Sequence, residues 1–255
     1  MFKKIATLVL ASLMLCACLT ACGAKGPTLA EVKEAGTLVI ATSPDFPPFE
    51  SIEGGEVVGI EVEIMKLICA ELGVALKIEQ MDFDSVLTGI QAAKYDCGMS
   101  GITVTAARQK NMLFTNPYYN AAQVIVVKAD STITGKADLA DKTVSVQTGT
   151  TAETGCQDEK IAYQGFNANA DAKAALTTGK VDAWVVDNLT AIQMVEEGDG
   201  LKILDEKMTE EPYAFAFAFG SEDLVAEINT ILEGLIADGT IEQIFTDFGE
   251  TYAKP

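Results

Sequence analysis

Hydrophobic residues along the chain fall into two repeating patterns, short continuous runs and runs with helical spacing. Residues 38–41 form a continuous apolar run typical of a buried strand, whereas apolar residues recur every three or four positions over 60–72 until Gly73. The same patterns predict further strands at 75–78, 97–100, 143–147, 161–164 and 183–186. They predict further helices at 83–93, 105–110, 152–159, 170–178, 189–197, 223–237 and 240–248.

Two extended runs, 118–127 and 213–219, are longer than the other predicted strands. Strands that alternate with helices predict an α/β protein with open, mostly parallel sheets and helices on both faces. Two such series connected by two long runs predict two lobes, with 31–119 plus 213–255 forming lobe 1 and 120–212 forming lobe 2. Because ligands of such sheets bind beyond the carboxyl ends of the strands, we expect the functional site in the cleft between the lobes.

The beginning of the chain has the features of a removable leader. Two lysines precede an apolar stretch at 5–15, which is too short for a membrane-spanning helix, since that needs about 20 residues. A leucine and two small residues then precede Cys22 and resemble a bacterial lipobox. We therefore predict a lipoprotein signal peptide over 1–21, lipid on Cys22 and a linker from the lipid anchor over 22–30. The alternative is an ordinary signal peptide that ends near a cysteine, and no later segment is a transmembrane candidate.

Composition and charge exclude several classes of function. The chain has 18 Lys and Arg against 37 Asp and Glu, a formal net charge of −19, and nucleic-acid binding relies on basic residues. The sequence contains no His, which removes Ser-His-Asp and Cys-His catalysis and zinc sites that use histidine. We expect no catalytic residue, no cofactor, no metal and no nucleic-acid partner, and we expect a monomer.

The cysteines that follow Cys22 are Cys69, Cys97 and Cys156. Their number is odd and their spacing does not fit a metal site. Two alternatives remain open from the sequence: all three are free buried thiols, or Cys69 and Cys97 form a disulfide.

Polar loops follow the predicted strands, and their order carries a family resemblance. The loops are 45–50 (DFPPFE), 59–64 (GIEVEI), 100–108 (SGITVTAAR), 147–151 (QTGTT) and 185–188 (VVDN). Over essentially all of 37–250 they resemble the family 3 bacterial extracellular solute-binding proteins, the polar amino-acid receptors of ABC importers. The resemblance implies a two-lobed, type II periplasmic-binding-protein fold with two hinge crossovers. It implies capture of a free L-amino acid by hinge closure and delivery to an ABC permease, from a lipid-anchored position on the extracytoplasmic face of the cell membrane.

The two charged groups of an amino acid have matching candidates in this chain. A guanidinium donates two parallel hydrogen bonds to a carboxylate, and the resemblance assigns this role to Arg108; a surface ion pair is the alternative. Thr150 and Thr151 begin a predicted helix, whose N–H groups favour an anion, although plain N-capping is also open. Asp187 ends an apolar strand, where an ionised carboxylate needs a cationic partner such as an ammonium. Its alternative role is a helix N-cap.

The resemblance implies further contacts around the ligand. Thr103 and the carbonyl of Ser100 or Gly101 would complete the shell around the ammonium. Phe46 and Phe83 match positions where aromatic rings sandwich the aliphatic part of the ligand. As isolated residues both are more typical of a hydrophobic core, and only the family register favours the ligand role.

Three further positions bear on which side chain is accepted. Many relatives that take basic ligands or glutamine carry an acid where this chain has Ser43. Glu61 and Gln147 match positions near the distal end of the ligand, although Glu61 is equally typical of a solvated helix start. The missing acid at Ser43 disfavours strictly basic ligands, whereas Glu61 leaves them open, so the identity of the amino acid stays open at this point.

Two other classes of function compete with solute capture. Cyclohexadienyl dehydratase shares the fold, but such an enzyme would need an acidic catalytic residue in a pocket without the ammonium-pairing carboxylate, and Asp187 with Arg108 favours capture. An amino-acid sensing domain would need a further transmembrane helix or signalling domain, and the chain ends at Pro255 without one.

Overall fold

The computed structural model describes residues 24–255. The signal peptide predicted over 1–21 and the lipidation site predicted at Cys22 lie outside the described residues. Within the described part, no helix combines the length and the apolar character needed to cross a bilayer.

The described residues contain eight α-helices and fourteen strands, together with 3-10 turns at Arg108–Lys110 and Lys136–Leu139. The helices are α1 Leu29–Ala35, α2 Ile60–Leu72, α3 Phe83–Gln91, α4 Thr151–Glu159, α5 Asn169–Thr177, α6 Asn188–Met194, α7 Glu222–Ala237 and α8 Thr240–Asp247. The strands are β1 Thr37–Thr42, β2 Ser51–Glu53, β3 Glu56–Val58, β4 Ala75–Gln80, β5 Cys97–Gly98, β6 Leu113–Phe114, β7 Tyr119–Ala121, β8 Gln123–Lys128, β9 Thr143–Gln147, β10 Ala162–Phe166, β11 Ala183–Asp187, β12 Leu201–Lys207, β13 Glu211–Tyr213 and β14 Ala216–Phe217.

Part of the segment predicted as a linker, 22–30, is folded. The N–H group of Gly26 donates to the carbonyl of Phe219 at 2.9 Å. Thr28 caps α1 and forms a reciprocal capping box with Glu31, which satisfies N–H groups that a helix start leaves unpaired. The linker therefore ends earlier than the sequence predicted, because α1 is too short to show a clear apolar periodicity.

Each of the two main sheets has five strands, and the two share one topology. The orders are β4-β1-β5-β14-β6 and β10-β9-β11-β8-β12. In the first, β1 is parallel to β4 and β5, while β14 is antiparallel to both β5 and β6. In the second, β9 is parallel to β10 and β11, while β8 is antiparallel to both β11 and β12. Four strands of each sheet thus run one way, as the predicted mostly parallel α/β fold requires.

Helices cover both faces of each sheet. In β1, Leu38 packs in the cluster that contains α2, whereas Ala41 packs in the cluster that contains α3. In β8, Ile125 shares a cluster with α4 and its neighbour Val126 shares another with α5. Successive strand residues point to opposite faces, so the continuous apolar runs in the sequence reflect burial on both sides.

The chain passes from the first sheet to the second and back through a two-stranded ribbon. β7 and β13 pair antiparallel, with Tyr119 opposite Tyr213 and Ala121 opposite Glu211. The two long runs predicted from the sequence therefore each divide into two strands. The run 118–127 becomes β7 and β8, separated by Ala122, and the second run supplies the end of β13 and then β14. These are the two crossovers that the sequence predicted.

Other differences from the predicted elements are local. The helix predicted at 105–110 is a 3-10 turn over Arg108–Lys110, and the strand predicted at 97–100 narrows to Cys97–Gly98. The hairpin β2–β3 and the strand β12 were not predicted, because both are short of buried apolar residues. Cys69, Cys97 and Cys156 are free and buried, which matches the first of the two alternatives for the thiols.

Candidate ligand-binding site

The carboxyl ends of β1, β5, β9 and β11 lead to one cavity between the two sheets. The cavity encloses about 300 Å³ of space between the protein atoms, a volume that includes the part open to solvent. Ten of the twelve predicted ligand-binding residues line it, and one lining residue, Asp45, was not predicted. The lining residues are Asp45, Phe46, Phe83, Ser100, Gly101, Thr103, Arg108, Gln147, Thr150, Thr151 and Asp187.

Arg108 enters the cavity from the 3-10 turn that follows the β5 loop. Its Nη1 donates to the carbonyl oxygen of Thr103 at 2.9 Å, and its Nη2 donates to the carbonyl oxygen of Gly149 at 3.0 Å. Its Cζ lies 5.6 Å from the centre of the Phe83 ring, a cation–π distance. Among residues 24–255 it forms no salt bridge. The alternative of a surface ion pair therefore does not apply.

Burial and nearby acids have opposite effects on the pKa of Arg108. Desolvation lowers the pKa of Arg108, while the negative charges of Glu211 and Asp187 raise it. Because the ordinary pKa of arginine is above 12, the guanidinium keeps its charge. The cavity thus contains a fixed cation next to two buried acids.

Asp187 ends β11 and occupies the N-cap position of α6, but its side chain makes no capping hydrogen bond. Instead, its Oδ2 accepts a hydrogen bond from Gln123 Nε2 at 2.9 Å, and its Oδ1 accepts one from the hydroxyl of Tyr213. The helix-cap alternative is therefore excluded for this side chain. Burial, together with the charge of Glu211, raises the pKa of Asp187 to about 7, although Tyr213, Gln123 and Arg108 oppose the shift.

The N-terminus of α4 also faces the cavity, through Thr150 and Thr151. Thr150 caps the helix by accepting a hydrogen bond from the N–H group of Glu153 at 3.3 Å. Its hydroxyl donates to the carbonyl of Gln147 at 2.7 Å. Capping and a position in the cavity wall therefore coexist at Thr150, and the positive end of the helix dipole lies beside the cavity.

Phe46 and Phe83 form aromatic walls, and both are nearly buried. Phe46 packs against the loop after β5 so closely that only glycine fits at position 101. A Cβ added to Gly101 would lie 2.5 Å from the Phe46 ring, and Gly101 also has a φ of 53°. A side chain there would displace the ring that forms the wall.

Two predicted ligand-binding residues, Ser43 and Glu61, do not line the cavity. The hydroxyl of Ser43 donates to Asp45 Oδ1 at 2.9 Å, so Ser43 lies behind an acid that does line it. Glu61 is fully buried and accepts hydrogen bonds from Gly101 N at 3.0 Å and from the hydroxyl of Tyr118. The structure therefore places Ser43 and Glu61 behind the cavity wall rather than in it.

Asp45 is the lining residue that the sequence reasoning missed. The sequence could have identified it, because Asp45 is a charged residue in the loop at the carboxyl end of β1. It accepts hydrogen bonds from the side chain of Gln147 at 3.1 Å and from the N–H group of Asn169 at 2.8 Å. These bonds join the first-sheet side of the cavity to the second-sheet side. The Arg108–Gly149 bond does the same, so the cleft is closed in this structure.

A closed cavity between two α/β units, with a paired ribbon as their connection, defines a two-lobed binding protein of the type II periplasmic-binding-protein fold. Residues 38–251 match the model of the bacterial extracellular solute-binding proteins, family 3, and the chain belongs to that family. The family predicted from the loop motifs is therefore confirmed. With it, the function of the chain is that of a substrate-binding protein of an amino-acid ABC importer.

Individual relatives agree with this assignment. The arginine-binding extracellular protein ArtP of Bacillus subtilis is 32% identical over 234 residues, covering 89% of this chain and 90% of ArtP. A mutant of ArgBP from T. maritima has a TM-score of 0.82 and 36% identity, covering 87% of this chain and 98% of that one. The ancestral protein AncCDT-1, an amino-acid-binding precursor of cyclohexadienyl dehydratase, has a TM-score of 0.79 and 31% identity, covering 86% and 98%. All three are binding proteins, and the third stands at the origin of an enzyme.

Proposed function

We propose that this chain captures a free L-amino acid in the cleft between lobe 1 (31–119 plus 213–255) and lobe 2 (120–212) and delivers it to an ABC permease. The observation that carries the proposal is that Arg108 and Asp187 line one closed cavity from opposite sides of the cleft. An amino acid carries one anionic and one cationic group. Its two charges would therefore contact different lobes, and binding would favour the closed state.

The hydrogen-bonding capacity of both residues supports these roles. Arg108 uses one bond each to the Thr103 and Gly149 carbonyls, and a guanidinium has five N–H donors, so donors remain for a carboxylate. Asp187 accepts from Gln123 and Tyr213, and an ionised carboxylate has about four acceptor sites. The remaining sites suit an ammonium, with Thr103 and the carbonyl of Ser100 or Gly101 as further partners.

We propose a cationic side chain for the ligand, with arginine as the first candidate. Asp45 is an acid in the cavity wall in addition to Asp187, and Gln147 beside it adds an amide. Phe46 and Phe83 supply apolar walls for an aliphatic stem. ArtP, a relative, is an arginine-binding protein by name. In this proposal Asp45 takes over the contact with the ligand side chain that relatives make with an acid at the position of Ser43.

A thermal-shift screen of the common amino acids, with ornithine and citrulline, tests the proposal. At a ligand concentration 100 times the dissociation constant, linkage gives about 2.7 kcal/mol of stabilisation. For a chain of this size that corresponds to roughly 5–11 °C in Tm. We expect arginine to give the largest shift. If none of these amino acids raises Tm, the proposed function is wrong.

Asp45→Asn is the matched variant for the side-chain part of the proposal. Citrulline has nearly the shape of arginine but no charge, so the ratio of their affinities measures the contribution of the acid. A hydrogen bond to a charged group contributes about 1.5–3 kcal/mol, or roughly a 10- to 150-fold preference. The variant should lose most of that preference. An unchanged ratio would show that Asp45 does not select the side chain.

Capture without chemical change is part of the proposal. Asp187 and Arg108 would engage both charged groups of the ligand and Asp45 its side chain, which leaves neither acid of the cavity wall free beside a bond to be broken. Incubation with arginine followed by mass spectrometry should return the ligand intact. Conversion of any bound amino acid would instead favour an enzyme related to the dehydratase lineage of AncCDT-1.

We further propose that Cys22 is the first residue of the mature protein and carries lipid, so that the protein is anchored on the extracytoplasmic face of the membrane as a monomer. Stable membrane attachment takes two signals, such as two acyl chains, which the lipid on a lipoprotein N-terminus would supply. Cys22→Ser should move the protein from the membrane fraction to the soluble fraction. Intact-mass data showing an unmodified N-terminus beyond Cys22 would contradict the anchor.

A further inference from the structure

Two carboxyl groups lie side by side under the cavity without a cation. Glu50 and Glu61 are both fully buried, and they accept hydrogen bonds from two consecutive residues, Ser100 and Gly101. Among residues 24–255, neither forms a salt bridge with a lysine or arginine. Two adjacent carboxylates cannot both stay ionised in such a place, because desolvation and mutual repulsion both oppose it.

The backbone forces the two groups together. The N–H group of Phe46 donates to the carbonyl of Glu50 at 2.9 Å, which closes a tight turn. The N–H group of Glu61, in the first turn of α2, donates to the carbonyl of Phe49 at 3.2 Å. At Gly59, which precedes the helix, an added Cβ would lie 2.1 Å from the Phe49 carbonyl oxygen. The turn therefore docks directly on the helix N-terminus.

The donors around the pair show where a proton belongs. Glu61 accepts from Gly101 N and from the Tyr118 hydroxyl, and it lies at the positive end of the α2 dipole. Glu50 accepts from the Ser100 hydroxyl at 2.8 Å through Oε1, and no donor among the described residues serves its Oε2. A hydroxyl at that oxygen can donate to Glu61. The donors thus favour a neutral Glu50 and an ionised Glu61.

We propose that Glu50 and Glu61 share one proton at neutral pH, held on Glu50, and act as a positioning pair for Ser100 and Gly101. Those two residues line the cavity, and each is tied to one member of the pair. The hydroxyl of Ser100 is committed to Glu50 and the N–H group of Gly101 to Glu61. Only their carbonyl groups are then left to accept from a ligand ammonium. The link to the ligand rests on the proposed function, but the shared proton does not.

The surrounding groups agree with this arrangement. Burial raises the pKa of Glu50 well above its usual range, and the charges of Glu61 and Asp45 add to that effect, while Ser100 opposes it. Burial also raises the pKa of Glu61, against the hydrogen bonds from Glu50, Tyr118 and Gly101. The other titratable groups that face the pair are Tyr118 and Cys97, and burial raises the pKa of both, so they stay neutral.

Infrared difference spectroscopy tests the proton directly and needs no ligand. A protonated carboxylic acid has a C=O stretching band that is separate from the carboxylate bands. The spectra are recorded at pH 7, where Asp187, with a pKa of about 7, contributes equally to both proteins and cancels in the difference. The spectrum of the parent protein minus that of Glu50→Gln should contain the protonated band. If the parent shows no such band that Glu50→Gln removes, the shared proton is ruled out.

The two variants in which one glutamate is replaced by glutamine, Glu50→Gln and Glu61→Gln, should differ sharply in stability. In Glu50→Gln the amide oxygen can accept from Ser100 and its NH₂ group can donate to Glu61, as the protonated acid does. In Glu61→Gln an NH₂ group must replace an acceptor that faces Gly101 or Tyr118. Breaking such a buried arrangement lowers Tm by roughly 6–20 °C. The control is Glu53→Gln, which changes an exposed acid of the nearby β2–β3 hairpin.

At pH 7 we expect Glu61→Gln to lower Tm by that amount, and Glu50→Gln to stay within about 3 °C of the control. Equal loss in both variants, or a larger loss in Glu50→Gln, overturns the placement of the proton. The dependence of Tm on pH distinguishes a shared proton from an effect of packing alone. Because the pKa of Glu50 is raised in the folded state, the parent loses stability as pH rises towards that pKa. Glu50→Gln lacks this group, so its Tm should fall less between pH 7 and pH 9.

Ligand binding completes the test of the positioning role. In the parent, loss of the proton at alkaline pH leaves two adjacent anions under Ser100 and Gly101, so arginine affinity should fall as well. Glu50→Gln should show a smaller fall over the same pH range. If the infrared and stability results hold but the affinity profiles coincide, the positioning role is wrong. If no amino acid binds the parent at all, the proposed function fails while the shared proton stands.

Discussion

Arg108→Met is expected to weaken binding of the cognate amino acid by about 30- to 4,000-fold, and Asp187→Asn by a similar factor. Each change removes one partner of a buried charge pair that forms when the ligand binds. Such a loss costs about 2–5 kcal/mol, much of it from the charge left unpaired, and 1.4 kcal/mol is a tenfold change in affinity. Titration calorimetry on the purified variants measures the effect. Because the proposed roles of both residues concern the part common to all amino acids, every accepted ligand should be affected.

Matched controls distinguish loss of the site from a general effect of charge. Lys110→Met removes a cation from the same 3-10 turn as Arg108, but from an exposed side chain. Asp158→Asn removes an exposed anion from α4. Both controls should bind within about twofold of the parent, since exposed charges contribute little. If Arg108→Met itself binds within threefold, the assignment of the carboxylate to Arg108 is wrong.

Affinity should fall by about 30-fold between pH 8 and pH 5.5. Asp187 has a pKa of about 7 without ligand, so its carboxyl group is ionised above that pH and protonated below it. A ligand ammonium needs the ionised form, so binding below pH 7 must first remove a proton, and each further pH unit weakens binding about tenfold. The chain has no histidine, which removes the side chain that ordinarily titrates in this range. Calorimetry in buffers of different ionisation enthalpy would also detect the released proton.

Asp187→Asn provides the internal control for this pH dependence. Its amide cannot titrate, so its weaker affinity should change by no more than about threefold over the same range, with the remaining change coming from other acids such as Glu61. A parent protein with constant affinity from pH 8 to pH 5.5 would show that Asp187 is ionised even without ligand. A variant as pH-dependent as the parent would place the titrating group elsewhere.

The pattern of apolar residues was enough to predict most helices and strands, because strands buried on both sheet faces appear in the sequence as continuous apolar runs. The helix over 60–72 has the predicted bounds, and so does the strand over 143–147. The site followed from topology, since loops at the carboxyl ends of parallel strands converge. Asp187, which was expected in the cleft on this basis, lines the cavity. The edge strand β12 was missed, because its residues are half-buried or exposed and show no apolar run.

Side-chain direction within a loop was beyond the sequence. Ser43 and Asp45 lie in one loop, two residues apart, and family register favoured Ser43. The main-chain N–H of Ser43 is taken by the Ser100 hydroxyl at 3.1 Å, and its own hydroxyl by Asp45. The contact with Ser100 comes from elsewhere in the chain, and together the two contacts hold Ser43 behind Asp45, which lines the cavity. Glu61 lies in the interior rather than in the cavity wall because the turn at 46–50 docks on the N-terminus of α2. No local sequence pattern encodes that contact.

The position of β14 has a consequence for the order in which the molecule can fold. All strands of the second sheet come from 123–207, whereas β14 joins the first sheet between β5 and β6 after a long detour. Phe215 and Thr115, 100 residues apart, hydrogen-bond at that junction. During synthesis from the N-terminus, the second sheet therefore has all its strands before the first sheet does. Shortening the chain from its C-terminus to before 216 should leave the edges of β5 and β6 unpaired, and so damage the half of the molecule that is made first.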